Sequence, residues 1–283
     1  MTLHDIASMP CDFACRALRL PSKLEISEKF ISNMQSTRKL LVLSLFLTIL
    51  PAGGTTLYQA NFNSQPPDAN NSTGTLSPSI GIGTITLLGG VTGNYGPASS
   101  AGGNASSDPT TTDDTALVLT GFPTQSTNNR RAGFQIALST VGYRNLVLQF
   151  DSNSSASADR YLDLQVSTNG GTSFSEAGLF TTTTANNWAT FSVNLSSISA
   201  LNNNPSVVLK LVTEFQPSTG SYQGVSTTYN GGGSIKFDMV TIDADLIAPE
   251  NPAWVLALSG LLALVYFKRG ARISGRFRFS EFL

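Results

Sequence analysis

The sequence predicts an all-β protein, an antiparallel β-sandwich of the jelly-roll kind, held between two terminal segments of different character. Three observations predict it. From residue 55 to 245, short β-rich runs alternate with loops of Gly, Ser, Thr and Asn. No stretch in that span keeps the 3.6-residue apolar period of a helix. Charged residues make up 12% of the chain and hydrophobic ones 41%, a balance too apolar for a disordered chain and suited to a sandwich with long polar loops. The chain therefore divides into residues 1–54, 55–245 and 246–283.

In chain order, the first element is a signal helix. Arg38 and Lys39 precede an unbroken apolar run from Leu40 to Leu50, which Pro51-Ala52-Gly53-Gly54 ends. A basic start, an apolar core and small residues after a helix breaker are the parts of a secretory signal. Export through the Sec translocon is expected, with signal peptidase cutting before Thr55 and Ala52 and Gly54 supplying the small side chains it selects. No Cys follows the apolar run, which argues against a lipoprotein anchor. Residues 1–33 would make an unusually long n-region, so translation is expected to start at Met34.

Candidate strands follow at 56–62, 81–88, 116–120, 132–138, 144–151, 160–167, 174–180, 188–195, 206–215 and 234–242, with long loops at 63–79, 96–114 and 216–233. Leu146, Leu148 and Phe150 fall on one face, as do Leu162, Leu164 and Val166, which is the alternation of half-buried strands. Ser167-Thr168-Asn169-Gly170-Gly171-Thr172 marks a hairpin, because Asn and Gly tolerate positive φ. Ten such strands predict two antiparallel sheets.

The last element is a membrane helix at 253–267, uncharged and followed by Lys268, Arg269 and Arg272. At 1.5 Å per residue it covers roughly 23 Å, short of the ~30 Å hydrocarbon core, a gap that snorkelling and local thinning absorb. The cationic end keeps its side in the cytoplasm and leaves the preceding domain outside.

This tail resembles the PEP-CTERM sorting signal of Gram-negative bacteria. Pro249-Glu250 matches the start of the Pro-Glu-Pro motif, Trp254 stands where that family often has a Trp, and Lys268-Arg269 matches the basic stop. Asn251 takes the place of the second proline, with Pro252 next, and the chain runs on past Arg269. The resemblance implies processing by an exosortase-type enzyme and a cell-surface or extracellular destination. The segments STNGGTSF and WATFSVNL are similar to those of galactose-binding-like and other carbohydrate-module jelly rolls.

Composition excludes several kinds of chemistry. Between Thr55 and Pro249 six basic residues stand against twelve acidic ones, a net charge of −6. That field repels a phosphate backbone, so nucleic acid is not an expected partner. His4 is the only histidine, and Cys11 and Cys15 the only cysteines; all three precede the signal helix. The exported domain therefore lacks the residues of Ser-His-Asp, Cys-His and ordinary zinc or copper sites. Paired-carboxylate glycoside hydrolysis survives, with Glu176 and Glu214 the domain's only glutamates.

The expected role is a non-enzymatic surface or extracellular-matrix protein without a cofactor; the alternative is a glycan-binding module, for the cell's own exopolysaccharide or for environmental polymer. If Leu162, Leu164 and Val166 face inward, then Tyr161, Asp163 and Gln165 face outward, and by the same parity so do Gln149, Asp151, Arg131 and Gln135. Those side chains suit sugar hydroxyls and ring faces. Asp238, in the last strand, is the candidate ligand for a structural calcium, since similar jelly rolls often hold one there.

Overall fold

The computed structural model describes residues 54–99, 104–110 and 112–247. Most of the signal segment, Ala52 included, lies outside the described residues, as do the membrane helix at 253–267 and the tail positions Pro249, Glu250, Trp254, Lys268 and Arg269. Among the described residues no helix is long and apolar enough to cross a membrane.

The described residues form twelve strands and one 3-10 turn, Ser199–Leu201. The strands are β1 (Thr55–Ala60), β2 (Ile80–Gly81), β3 (Gly83–Leu88), β4 (Thr92–Pro97), β5 (Thr115–Thr120), β6 (Gly133–Leu138), β7 (Tyr143–Ser154), β8 (Tyr161–Ser167), β9 (Ser175–Thr181), β10 (Trp188–Asn194), β11 (Val207–Thr213) and β12 (Ile235–Leu246). One sheet runs β10-β7-β12-β1-β2, with β5 also on β12 and β4 on β5; the other runs β3-β6-β11-β8-β9. Every pairing is antiparallel. Successive strands pass repeatedly from one sheet to the other, which is jelly-roll-type connectivity.

The core is the space between the sheets. Phe150 of β7 meets Phe180 of β9 edge to face at 5.0 Å, and Phe237 of β12 meets Phe134 of β6 in the same way at 5.0 Å. These ring pairs join the two sheets across their inner faces, amid buried Leu, Ile and Val drawn from both. The alternation expected in the sequence is what builds this layer: Leu146, Leu148 and Phe150 are buried, as are Leu162, Leu164 and Val166.

Each of the ten expected strands has a counterpart, with two differences. The run at 81–88 divides at Ile82, which is 90% exposed: β2 stays in the larger sheet and β3 crosses to the smaller one. Gly81 makes the crossing, with φ +78 and its α-carbon so close to the chain that a Cβ would meet the Leu57 carbonyl. The second difference is β4, a strand not expected from its sequence.

β12 carries a bulge. Its register with β7 shifts between Asp238 and Thr241, and Met239 has φ +46. Before the bulge β12 pairs with β5, and after it with β1. The bulge thus lets two strands share one edge of β12.

Candidate functional site

The outer face of the five-stranded sheet carries the candidate site. Its floor is a cross-strand row. Lys210 of β11 lies opposite Gln135 of β6 on one side and Gln165 of β8 on the other; Thr86 of β3 pairs with Gln135, and Glu176 of β9 with Gln165. Neighbouring strands lie ~4.8 Å apart, so these five positions span roughly 19 Å. They project outward because their strands alternate: Leu209 and Leu211 are buried in the core, which leaves Lys210 on the opposite face.

Two walls rise from this floor. At one end of β11 stands the loop that closes on Arg130 and Arg131. Arg130 has φ +59, and its N–H donates to the Thr213 carbonyl at 3.1 Å. The Asn129 side chain accepts from the Phe215 N–H at 2.7 Å, and the Tyr222 hydroxyl donates to the carbonyls of Thr127 and Asn128. Tyr222 is itself packed between Phe215 and Tyr229. The loop is therefore set by side-chain anchors rather than by strand pairing, and the Arg130 guanidinium is placed before any ligand arrives.

At the other end of β11 the β8–β9 hairpin brings up Phe174. Gly170 and Gly171 take φ +70 and +89, and Asn169 is held by Ser167 and Ser173. The Phe174 ring lies 4.4 Å from the Lys210 Nζ. Between the walls is a groove of about 550 Å³ whose lining includes Gln135, Gln165, Lys210, Phe174, Arg130 and Arg131.

Beneath the Arg130 wall is a knot of carboxylates. The Arg130 Nε lies 3.3 Å from Asp163, its Nη2 donates to Glu176 at 2.8 Å, and both nitrogens donate to Glu214. The Asp163 side chain is fully buried and also accepts from the Gln165 amide at 2.7 Å. Burial pushes its carboxyl up to about 6, against the pull of Gln165 and Arg130. These three are the ion pairs found among the described residues.

Of the side chains expected to form one outward patch, Arg131, Gln135 and Gln165 line this groove and Asp163 lies under its wall. Tyr161 stands on the same strand, its hydroxyl donating to Gln223 at 3.3 Å. Gln149 and Asp151 are elsewhere: they belong to β7, in the other sheet. Asp151 is buried and accepts from the Ser107 N–H and the Thr190 hydroxyl. Lys210, Phe174 and Arg130 were not singled out from sequence. Lys210 carries a readable signal, as the one charge in an apolar strand; Arg130 and Phe174 have none apart from neighbouring turn residues.

Asp238 sits in a second cluster at the end of the larger sheet. Oxygens of Asp108, Asp114 and Asp238 lie within 4.8 Å of one another. Asp238 accepts from the Ser106 hydroxyl at 2.6 Å and the Met239 N–H at 2.7 Å; Asp108 accepts from Asn63 at 2.9 Å and the Thr110 N–H at 2.8 Å. Oδ1 of Asp114 is buried with no hydrogen-bond donor. Burial pushes Asp238 up to about 8, and burial with the neighbouring Asp108 charge pushes Asp114 up to about 6. Oxygens that share one calcium at ~2.4 Å lie no more than about 5 Å apart, so the spacing, the hard oxygen donors and the idle Asp114 oxygen all fit a bound calcium.

No protein-family model matches the chain, and no curated protein matches it. Among solved structures it is similar to the CBM22-1 xylan-binding domain of Paenibacillus barcinonensis Xyn10C, at 15% identity and a TM-score of 0.36, over 69% of this chain and 97% of that one. It is also similar to the CBM22 tandem of the same protein, at 17% identity and a TM-score of 0.38, covering 72% of this chain and 50% of that one; the chain thus spans half the length of the tandem. A third is the K1 cleaved adhesin domain of Lys-gingipain from Porphyromonas gingivalis W83, at 11% identity and a TM-score of 0.38, over 69% and 100% of the two chains. Likenesses this distant say nothing about ligand, which has to be read from the groove itself.

Proposed function

We propose that this protein is an exported glycan-binding module whose site is the groove on the five-stranded sheet. The observation that carries the reading is the Gln135–Lys210–Gln165 row beside Phe174. Two amides offer donors and acceptors to paired hydroxyls, and an aromatic wall offers an apolar surface to a sugar ring. An extended chain laid along the row meets one side chain per strand. Glu176 and Glu214 do not favour hydrolysis: both accept from the same Arg130 nitrogen instead of facing each other across an open cleft.

The test is retention of the full-length chain on a glycan array and in polysaccharide affinity gels. Wild type is expected to be retained by at least one polymer, and Q135A/Q165A to bind it about tenfold more weakly, on the order of two lost hydrogen bonds. Retention by no glycan, or unchanged retention of the double variant, overturns the reading.

Delivery to the cell surface belongs to the same proposal and rests on the terminal segments of the sequence. Thr55, the expected first residue after signal cleavage, also opens β1, so a cut before it spares the sheet. Intact-mass analysis of protein from native cells is expected to find a form beginning near Thr55 and ending near Pro249. A form that keeps Trp254 onward would instead make the tail a plain membrane anchor and would remove the exosortase-type step. A structural calcium on Asp108, Asp114 and Asp238 completes the proposal; it would tie the loop around Asp108 to β12.

A further inference from the structure

The basic residues of the domain are unevenly placed. Between Thr55 and Pro249 there are six, and three of them, Arg130, Arg131 and Lys210, line the one groove. Of the segment's twelve acidic residues, Glu176 closes the β9 end of the floor row, where it pairs with Arg130, and none stands among the residues that line the groove itself. Asp163, Glu176 and Glu214, the acids nearest to hand, all pair with Arg130. Lys210 and Arg131 make no ion pair with any of the described residues. Lys210 instead places its ammonium against the face of Phe174, a contact that does not occupy all three of its N–H donors.

We infer that the groove takes an anionic polysaccharide, one whose carboxylate or sulfate groups are held by Lys210 and Arg131 while Gln135 and Gln165 bind its hydroxyls. This rests on the glycan-binding reading and narrows its ligand. A neutral glycan would cover Lys210 and Arg131 without giving either an ion-pair partner, which is an arrangement that costs affinity. The Lys210 environment points the same way. Burial pushes its pKa down, Asp163 pulls it up, and Arg131 and Arg130 push it down again; an anion in the groove offsets the repulsion from the two arginines.

The experiment compares polymers that differ only in charge, using the full-length chain in affinity gels. Polygalacturonate is run beside its carboxyl-reduced form, and dextran sulfate beside dextran. At least one charged polymer is expected to bind tenfold or more tightly than its neutral partner, and raising NaCl from 50 to 500 mM to weaken that binding severalfold. K210Q and R131Q are each expected to remove most of the difference. R144Q, which removes an exposed cation away from the groove, is expected to leave it unchanged. Preference for the uronate pair or for the sulfate pair identifies which anion is held. Equal binding of charged and neutral partners, or equal loss in R144Q, overturns the anionic inference and leaves glycan binding standing. Absence of binding to these four polymers and to every neutral glycan on the array overturns both.

Discussion

Arg130 shows how much of the site depends on single side chains. Among the described residues it is the one cation within ion-pair distance of Asp163, whose side chain has no exposure. Removing it strands a buried carboxylate, a change that costs a few kcal/mol where the pair is fully enclosed. Because Arg130 keeps about a third of its surface in water, the cost of R130A is expected to be smaller, about 2 kcal/mol at pH 7.5 in urea denaturation. At pH 5 the loss should shrink, since Asp163 already titrates up at about 6 and can then shed its charge. Asp159 is a second residue of this kind. It is buried, accepts from the Glu214 N–H at 3.0 Å, and has an Oδ1 without a donor; burial pushes its pKa up to about 8. An unfolded Asp titrates near ~3.9, so between about pH 4 and pH 8 the folded chain binds more protons than the unfolded one. Its contribution to stability is therefore full at low pH and lost as the pH rises through 8. The melting temperature of wild type is expected to fall between pH 5 and pH 9, and that of D159N to fall less; equal slopes would show that another group titrates.

At the scale of elements, β7 and the β8–β9 hairpin carry the two main consequences. Phe150 of β7 has no exposure and touches the rings of Phe180, Phe191 and Phe237. F150A should therefore cost about 3–5 kcal/mol, read as a lowered urea midpoint with an unchanged slope. The hairpin presents Phe174 to the groove, so F174A is expected to weaken polysaccharide binding several-fold while the melting temperature barely moves. Much of this was legible in the sequence, because the period-2 pattern of β7 and β8 sorts core residues from outward ones. β4 was not, and its composition explains why: Thr92-Gly93-Asn94-Tyr95-Gly96-Pro97 is poor in β-formers. At Gly93 the tip of the Leu87 side chain fills the space a Cβ would take, 2.7 Å away. The site was half legible for a related reason. Parity places Gln135, Gln149 and Gln165 alike on outer faces, but which sheet a strand joins is decided by long-range pairing. β11 between β6 and β8 puts Lys210 between two glutamines, while β7 between β10 and β12 takes Gln149 and Asp151 away.

For the whole molecule, the two candidate sites fall on different sheets, and that separation makes a prediction. The carboxylate cluster joins Asp238 at the β12 bulge, Asp114 just before β5, and Asp108 in the loop whose Ser107 N–H reaches Asp151. It belongs to the larger sheet and the segments that close its end. The groove belongs to the outer face of the smaller sheet. A calcium at the cluster should therefore act on stability and leave recognition alone. At a free concentration about a hundredfold above its dissociation constant, calcium adds about 2.7 kcal/mol, which for a domain of this size is a rise of about 5–10 °C in melting temperature. The rise is expected with calcium chloride at pH 7.5 and should be reversed by EDTA, with magnesium much less effective because it needs a tighter octahedral shell. D238N should remove the response, since Asp238 is the most deeply buried of the three acids. Polysaccharide affinity measured with and without EDTA, well below either melting temperature, should be the same. A melting temperature indifferent to calcium would mean that Ser106, Asn63 and protons alone hold the three acids together. An affinity that follows calcium would mean that the β12 bulge is felt across the aromatic layer, through Phe237 and Phe134, at the floor of the groove.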